Sequence, residues 1–492
     1  MREEPPTLPP HPMLRLPVLT LLAAVLAPAL APAATSQEEP TAEFRWAQTA
    51  EDVGEVMVPA ITGGGSWFQG PHGLRYRVVP SVSGDPTYEV VLRAPWSGHP
   101  TRPERLLVQM PADFFQRPFD ERAVVFGFHR YSVSEKDIFL NTDLPHEARQ
   151  RGWMLVAPYG LSETNFGNVH SQASLAHVAL VLYDLVPFNY RRCYAVGFSM
   201  GGLSALSFGM RHLDRMQLQF AGVVAHTPPL DMVRTYQNTS LAGQLLLASP
   251  ANFDGTLEAQ PFAYERVSPV RLDDAGLVDP DHAPVLNLAG RPIFLHANLG
   301  DPNTHLLAGT TTLAQFLQQH GALVLESLVH DPAAGHDWDT LPLSQALDFI
   351  GSHELPVAAS QEQQFFVDRP GRWLQVEVDA IAHGRTARFR VELAPLNLPT
   401  TNGFRVDGTR DLERLSLRLV PLGLDPGATL YLVHQAADGT VDELALRGFS
   451  GPPSEVRRNG QPTSDWSYTP ASGELVVRPS TDGSETLLTI VP

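Results

Sequence analysis

Cysteine is almost absent from this chain. Of 492 residues only Cys193 is one, which excludes an intramolecular disulfide, an iron–sulfur cluster and any cysteine-rich zinc module. Lysine is as scarce: among the 35 Lys and Arg residues only Lys136 is lysine, a skew that reads as genomic base composition rather than function. Cations of any kind are the minority, 35 against 53 Asp and Glu, for a net charge of −18. That balance argues against a nucleic-acid partner and against docking on an anionic membrane, because both need a cationic surface. No internal repeat is evident. Apolar residues make up 43%, ample for sizeable cores, and the length suggests two to four domains at roughly 100 to 200 residues each. With 44 Pro and 38 Gly the chain is rich in turns, which suits many strands.

Long apolar runs are missing but for one. Leu16 to Ala34 is almost wholly apolar, follows Arg15, and is interrupted by Pro17, Pro28 and Pro32. It ends in the small-x-small pattern Ala31-Pro32-Ala33. This reads as a secretory signal peptide over residues 1–33, since the uninterrupted stretch is too short for a membrane span. Residues 1–12 are proline-rich and acidic, so Met13 is an alternative start. The cleavage point has no cysteine for a lipid anchor. The expectation is a secreted or periplasmic protein without an integral membrane segment after signal removal.

Residues 34–104 read as a leader and an N-terminal β-strand extension, and short alternating or β-rich runs at Leu74–Val79, Tyr88–Leu92 and Leu106–Met110 read as antiparallel strands over 73–110. From Ala123 to about Leu355 apolar strand-like runs alternate with helix-like segments. The runs are Ala123–Phe128, Trp153–Ala157, Cys193–Val196, Gly222–Ala225, Pro292–Ala297 and Leu323–Val329. Strands apolar on both faces and separated by helices predict a mostly parallel sheet flanked by helices, an α/β class domain over 105–355. From about Gln361 the helical pattern stops, and short strand patterns with turn signals predict a C-terminal all-β sandwich over 361–492. Its aromatics Trp373, Tyr431, Trp466 and Tyr468 are either exposed contacts for a polymer or carbohydrate, or core residues.

The chemistry gathers in three places. Cys193-Tyr194-Ala195-Val196 runs into Gly197-Phe198-Ser199-Met200-Gly201-Gly202, which is G-x-S-x-G between a strand and a helix pattern. A serine on so sharp a turn projects its hydroxyl above the sheet, and the helix N-terminus places positive partial charge where an oxyanion forms. The acid follows in chain order. The buried strand Pro292–Ala297 opens into Asn298-Leu299-Gly300-Asp301, and a carboxylate past the carboxyl end of a strand stands on the functional edge of the sheet, so Asp301 is the candidate acid. The next strand opens into His330-Asp331-Pro332-Ala333-Ala334-Gly335-His336-Asp337-Trp338, where His336 is the candidate base. His330 is a rival base, and Asp331 or Asp337 a rival acid. His296, inside a strand, reads as a core histidine. Strung together, His296, His305, His330 and His336 match no ligand spacing, so neither metal nor cofactor is expected.

Two backbone donors are needed for an oxyanion hole. One is the N–H of Met200, directly after the nucleophile; the other is expected from the loop after Val124–Phe128, at Tyr131, whose ring can also wall a substrate pocket. Trp338 is either a second aromatic wall or an anchor for the histidine loop. The segment from Pro228 to Leu288, with Tyr236, Phe253, Phe262 and Tyr264, is expected to border the pocket.

Together Ser199-Met200-Gly201-Gly202, Gly335-His336-Asp337-Trp338, the Asp301 loop and Ala148–Pro158 resemble secreted α/β-hydrolase esterases. Among these the resemblance is to the esterase D, feruloyl-esterase and polyhydroxybutyrate-depolymerase-like group. It covers about residues 105–355 and implies an α/β-hydrolase fold with a Ser-His-Asp triad acting on small-molecule or polymeric esters. The chain departs from the group at His129-Arg130, where His-Gly is common, which puts a cation near the site. The competing readings are a serine peptidase resembling the prolyl-oligopeptidase family, and a non-catalytic binding protein on a hydrolase scaffold. Only about 70 residues separate the leader from the hydrolase core, too few for the propeller such peptidases carry.

Overall fold

Strands that read as apolar on both faces are so because both faces are covered. The structure, a computed structural model, describes residues 66–93, 103–214, 217–307, 309–356, 362–373, 376–395, 398–437, 443–479 and 483–492. The signal-peptide and leader readings on residues 1–65 lie outside them. Among the described residues no helix is long and apolar enough to cross a membrane.

One sheet of ten strands carries the first region. In chain order these are β1 (Phe68–Gln69), β2 (Arg75–Val79), β3 (Thr87–Leu92), β4 (Glu104–Gln109), β5 (Val124–Phe128), β6 (Met154–Pro158), β7 (Cys193–Phe198), β8 (Gly222–His226), β9 (Ile293–Asn298) and β10 (Val324–Val329). Their order in space is β1-β2-β3-β4-β6-β5-β7-β8-β9-β10. Strands β1 to β4 pair antiparallel, as do β4 and β6, and every pair from β6 to β10 is parallel. The N-terminal strands are thus one edge of the same sheet.

Ten helices accompany it among the described residues: α1 (Asp137–Leu140), α2 (Leu144–Arg151), α3 (Val169–Leu185), α4 (Met200–Arg211), α5 (Met232–Asn238), α6 (Leu241–Leu247), α7 (Pro261–Val267), α8 (Thr304–Leu307), α9 (Thr310–Gln319) and α10 (Leu343–Gly351). Residues of α3, α4 and α9 pack on one face of the sheet, with Phe126, Val156, Ala195, Val223 and Leu295. Residues of α1, α2 and α10 pack on the other, with Val125, Leu155, Tyr194, Val224 and Phe294. Alternate residues of each central strand go to opposite layers, which is why the strands show no polar face. Helices α5 and α7 interrupt the crossover between β8 and β9 and form a small cluster of their own against Leu203 of α4.

At the start of β4, Glu104 is fully buried. Its carboxylate accepts the N–H groups of Tyr159, Gly160 and Leu161 at 2.8, 2.9 and 3.0 Å and the Ser174 hydroxyl at 2.7 Å. Burial pushes this carboxyl up to about 7, against those four donors, which favour the ionised form.

The second region contains two sheets. Its strands are β11 (Glu362–Val367), β12 (Gly371–Trp373), β13 (Val376–Ile381), β14 (Ala387–Leu393), β15 (Gly403–Arg410), β16 (Leu412–Arg418), β17 (Leu430–Ala436), β18 (Glu443–Arg447), β19 (Glu455–Arg458), β20 (Gln461–Pro462), β21 (Trp466–Thr469), β22 (Glu474–Val477) and β23 (Thr486–Val491). Seven form the sheet β11-β14-β15-β17-β23-β19-β20 and six the sheet β12-β13-β16-β18-β22-β21. Phe389, Phe404, Leu432 and Ile490 of the first share one apolar cluster with Val378, Leu415, Leu446 and Leu475 of the second. On the outer face of the six-stranded sheet, Arg414 binds Asp379, Glu443 and Glu474, and Arg447 binds Glu377 and Glu474. Trp466 and Tyr468 are half-buried against the core, their polar atoms donating to the carbonyls of Thr463 and Phe449, and Tyr431 is half-buried in β17. None of these three stands out as a displayed aromatic platform; the side chain of Trp373 lies outside the description.

The two regions exchange core residues. Phe366 of β11 belongs to the first core and Leu213, beyond α4, to the second. Asn287 links them: its amide donates to Met210 O at 2.8 Å and Phe366 O at 2.7 Å and accepts Phe366 N–H at 2.9 Å. Nearby, Asp368 pairs with Arg266. Burial alone would raise that carboxyl, but Arg266, Arg369 and Arg211 outweigh it and hold it well below the usual range.

Two outcomes follow. Asn287→Ala strands buried backbone groups on both sides of the junction and is expected to cost about 2–4 kcal/mol, read by chemical denaturation. For Glu104, the folded state keeps the proton between about 4.5 and 7 while the unfolded chain has already released it. Stability from this group therefore falls as pH rises through that window. Parent and Glu104→Gln denaturation curves across the window should differ in slope, the variant being flatter; equal slopes would remove Glu104 as the source.

Candidate active site

Strand β7 is buried throughout and ends in a strained turn. Ser199 has φ 54° and ψ −121°, a backbone conformation that costs of order 1–3 kcal/mol and persists only where its surroundings impose it. Its N–H donates to His226 O at 2.8 Å, pinning the turn to the end of β8, and α4 begins at the next residue. The flanking glycines are steric requirements. A Cβ on Gly197 would lie 2.1 Å from Gly201 O, and one on Gly201 would lie 2.1 Å from Phe128 O. The second clash shows how closely the loop leaving β5 runs past the first turn of α4.

The loops after β9 and β10 bring in the other two groups. Asp301 is 2% exposed. Its Oδ2 lies 2.5 Å from His336 Nδ1, and His336 Nε2 lies 3.0 Å from Ser199 Oγ. A carboxylate only accepts, so Nδ1 carries the proton, and Nε2 is left to accept from the serine hydroxyl. The rivals are placed elsewhere. His330 is exposed, the Asp331 carboxylate accepts Ala333 and Ala334 N–H, and Asp337 binds Arg130. His296 is buried between Ser327 and Thr340 hydroxyls. Among the described residues no group of three or more His, Cys, Asp or Glu is placed to hold a metal ion.

Two buried residues that the sequence did not single out hold these loops. Asn298, the last residue of β9, donates to Asp331 O at 2.8 Å and Gly335 O at 3.2 Å and accepts Asp331 N–H at 2.9 Å, latching the Asp301 loop to the His336 loop. His226 is 1% exposed and packs on Phe198 at 4.5 Å between ring centres. Its Nε2 faces Asp337 O at 3.0 Å, so this nitrogen carries the proton, and Nδ1 accepts from the Thr227 hydroxyl at 3.1 Å. Burial, then His296, push its pKa down to about 3, and the ring stays neutral. Thr227 is held at φ 44°, a conformation β-branched residues avoid. The only sequence signal was a histidine ending the strand beside the nucleophile strand, and nothing in a strand pattern separates that from an ordinary core histidine.

The loop after β5 carries the remaining candidates. Tyr131 is 39% exposed, its ring 5.7 Å from Phe166, which in turn lies 6.3 Å from Phe253. Those three rings form an aromatic edge toward the α5–α7 insertion. Phe253, Tyr264 and Tyr236 are core residues of that insertion. Met200 opens α4, where backbone N–H groups have no intrahelical acceptor. Trp338 corrects one expectation. It is 5% exposed, packs tilted against Phe198 with ring centres 5.4 Å apart, and donates Nε1–H to Asp137 at 3.1 Å. A ring so enclosed anchors the histidine loop and offers no wall to a substrate. Arg130 is likewise engaged, with Asp137 and Asp337.

No protein-family model matches the chain, and no curated protein sequence does. Among solved structures it is similar to an S-formylglutathione hydrolase from Agrobacterium tumefaciens, with 12% identity over 56% of this chain and 99% of that one at a TM-score of 0.41. It is also similar to a ferulic acid esterase, with 16% identity over 58% and 99% at 0.38. A third is a dipeptidyl peptidase 4 from Porphyromonas gingivalis, with 15% identity over 58% and 43% at 0.37. At such scores the chemistry of this chain is decided by its own residues.

His226→Leu removes the donor to Asp337 O and strands that carbonyl. Thermal unfolding should show a loss of about 1–3 kcal/mol, and His226→Gln, which can still donate, should recover part of it.

Proposed function

We propose that the chain is a serine esterase, cleaving carboxylic esters through an acyl-enzyme. The observation that carries this is the hydrogen-bonded line Asp301–His336–Ser199, set on a strained strand-to-helix turn. Ser199 Oγ attacks the ester carbonyl carbon as its proton passes to His336 Nε2. Asp301 stays ionised, holds the tautomer and stabilises the imidazolium. The carbonyl oxygen, now negative, accepts from the N–H groups of Met200 and Tyr131; donors of this kind are each worth about 3–4 kcal/mol in other hydrolases. His336 returns the proton to the leaving alcohol, and water repeats the sequence to release the acid.

The exposed ring of Tyr131 beside Phe166 supports an aromatic or apolar group on the substrate. The two C-terminal sheets we read as an accessory β-sandwich. Its outer charges are mutually paired and its aromatics half-buried, which supports a role in steadying the hydrolase over a polymer contact. The composition of residues 1–33 supports export.

The test is hydrolysis of p-nitrophenyl esters from acetate to octanoate by parent and Ser199→Ala. Turnover in the parent, falling by about a thousandfold or more in the variant, is the expected outcome. A folded parent inert on every ester would overturn the esterase reading and bring peptide substrates forward.

A further inference from the structure

We propose that Arg130 is a positioning residue that couples the loop bearing Tyr131 to the loop bearing His336; this rests on the esterase reading above. Arg130 Nε lies 3.3 Å from Asp137 Oδ1 and Nη1 lies 2.8 Å from Asp337 Oδ1. Asp337 Oδ1 also accepts the Trp338 backbone N–H at 2.7 Å. Trp338 Nε1–H closes the path by donating to Asp137 Oδ2 at 3.1 Å. Four side chains from three segments thus form one closed circuit, with Asn141 adding a donor to Asp137 at 2.8 Å.

The members of this circuit sit next to the reacting groups. Arg130 directly precedes Tyr131, the proposed oxyanion donor, and Asp337 directly follows His336, the base. The guanidinium is therefore one of two links that set the separation between donor and base, the other being Trp338 Nε1–H to Asp137. Asp137 explains why an arginine is required. Its carboxylate is buried, and a buried carboxylate needs a partner of opposite charge to remain ionised at low cost. The planar guanidinium can face two carboxylates at once, which an ammonium point charge does less well. Misplacing a catalytic group by about 1 Å can cost on the order of a hundredfold in rate, so a circuit that locks both loops acts on turnover more than on binding. Arg130 touches neither Ser199 nor His336, and it acts through its neighbours.

The experiment measures kcat and KM on the best p-nitrophenyl ester for parent, Arg130→Met, Arg130→Lys, Asp337→Asn and the double variant Arg130→Met/Asp337→Asn. Thermal unfolding and the rate of Ser199 labelling by a fluorophosphonate are followed beside them. In Arg130→Met, kcat should fall at least about tenfold with KM within about threefold, and labelling should slow in parallel. Arg130→Lys should recover part of the loss. Adding Asp337→Asn to Arg130→Met should cost little more, because the path is already broken. An unchanged kcat in folded Arg130→Met, a change confined to KM, or strictly additive effects would each overturn the proposal. If Arg130→Met does not fold, Asp337→Asn decides, and an unchanged kcat there overturns it. If the parent turns over no ester, the esterase reading fails by itself, and labelling rates then judge the coupling: equal rates in parent and Arg130→Met overturn it.

Discussion

The strained turn at Ser199 is the constraint on which the rest depends. A positive φ at a residue with a side chain is unstable alone and must be imposed by neighbours on every side. Here β7 is fixed between β5 and β8, the Ser199 N–H is bound by His226 O, and α4 presses so closely on the carbonyls of Phe128 and His129 that only glycine fits at Gly201. The layers on both faces of the sheet hold this geometry. Phe198 points into one of them, under the rings of His226, His336 and Trp338.

Around that turn the loops are fixed by buried polar groups whose partners are mostly backbone. Asn298 joins the Asp301 loop to the His336 loop, His226 holds Asp337 O, and Glu104 gathers three consecutive N–H groups where β6 ends. Tyr159 in that last turn offers its carbonyl to His129 at 2.9 Å, so Glu104 supports the β5 loop at one remove. Each latch is a case where losing one partner would leave another buried and unpaired, which makes the set cooperative. The far end of α4 is held in the same manner, by Asn287 at Met210 O and Phe366, and the C-terminal sheets thereby brace α4 at its end away from Ser199.

Legibility followed burial and period. The central strands read as continuous apolar runs because helices cover both faces, and they lie within a residue or two of their expected bounds at β5 to β10. In the second region β15 carries a weak strand signal, because Gly403 and Gly408 lower its strand propensity although Phe404, Val406 and Thr409 are buried. The two-residue strands β1 and β20 carry too little pattern to detect.

The sequence by itself determined the chain order of the apolar strands β5 to β10, the serine turn with its two obligatory glycines, and the chain order Ser199, Asp301, His336. Those are local matters, set by side-chain period, by Cβ sterics and by position after a strand. Which of His330 and His336 meets the serine, which aspartate meets the histidine, and whether Trp338 faces substrate or core were decided only by tertiary structure. So were the roles of His226, Asn298 and Arg130. Each of these depends on a hydrogen bond between segments far apart in the chain, and a hydrogen bond is specified by distance and direction, which residue type and spacing do not contain.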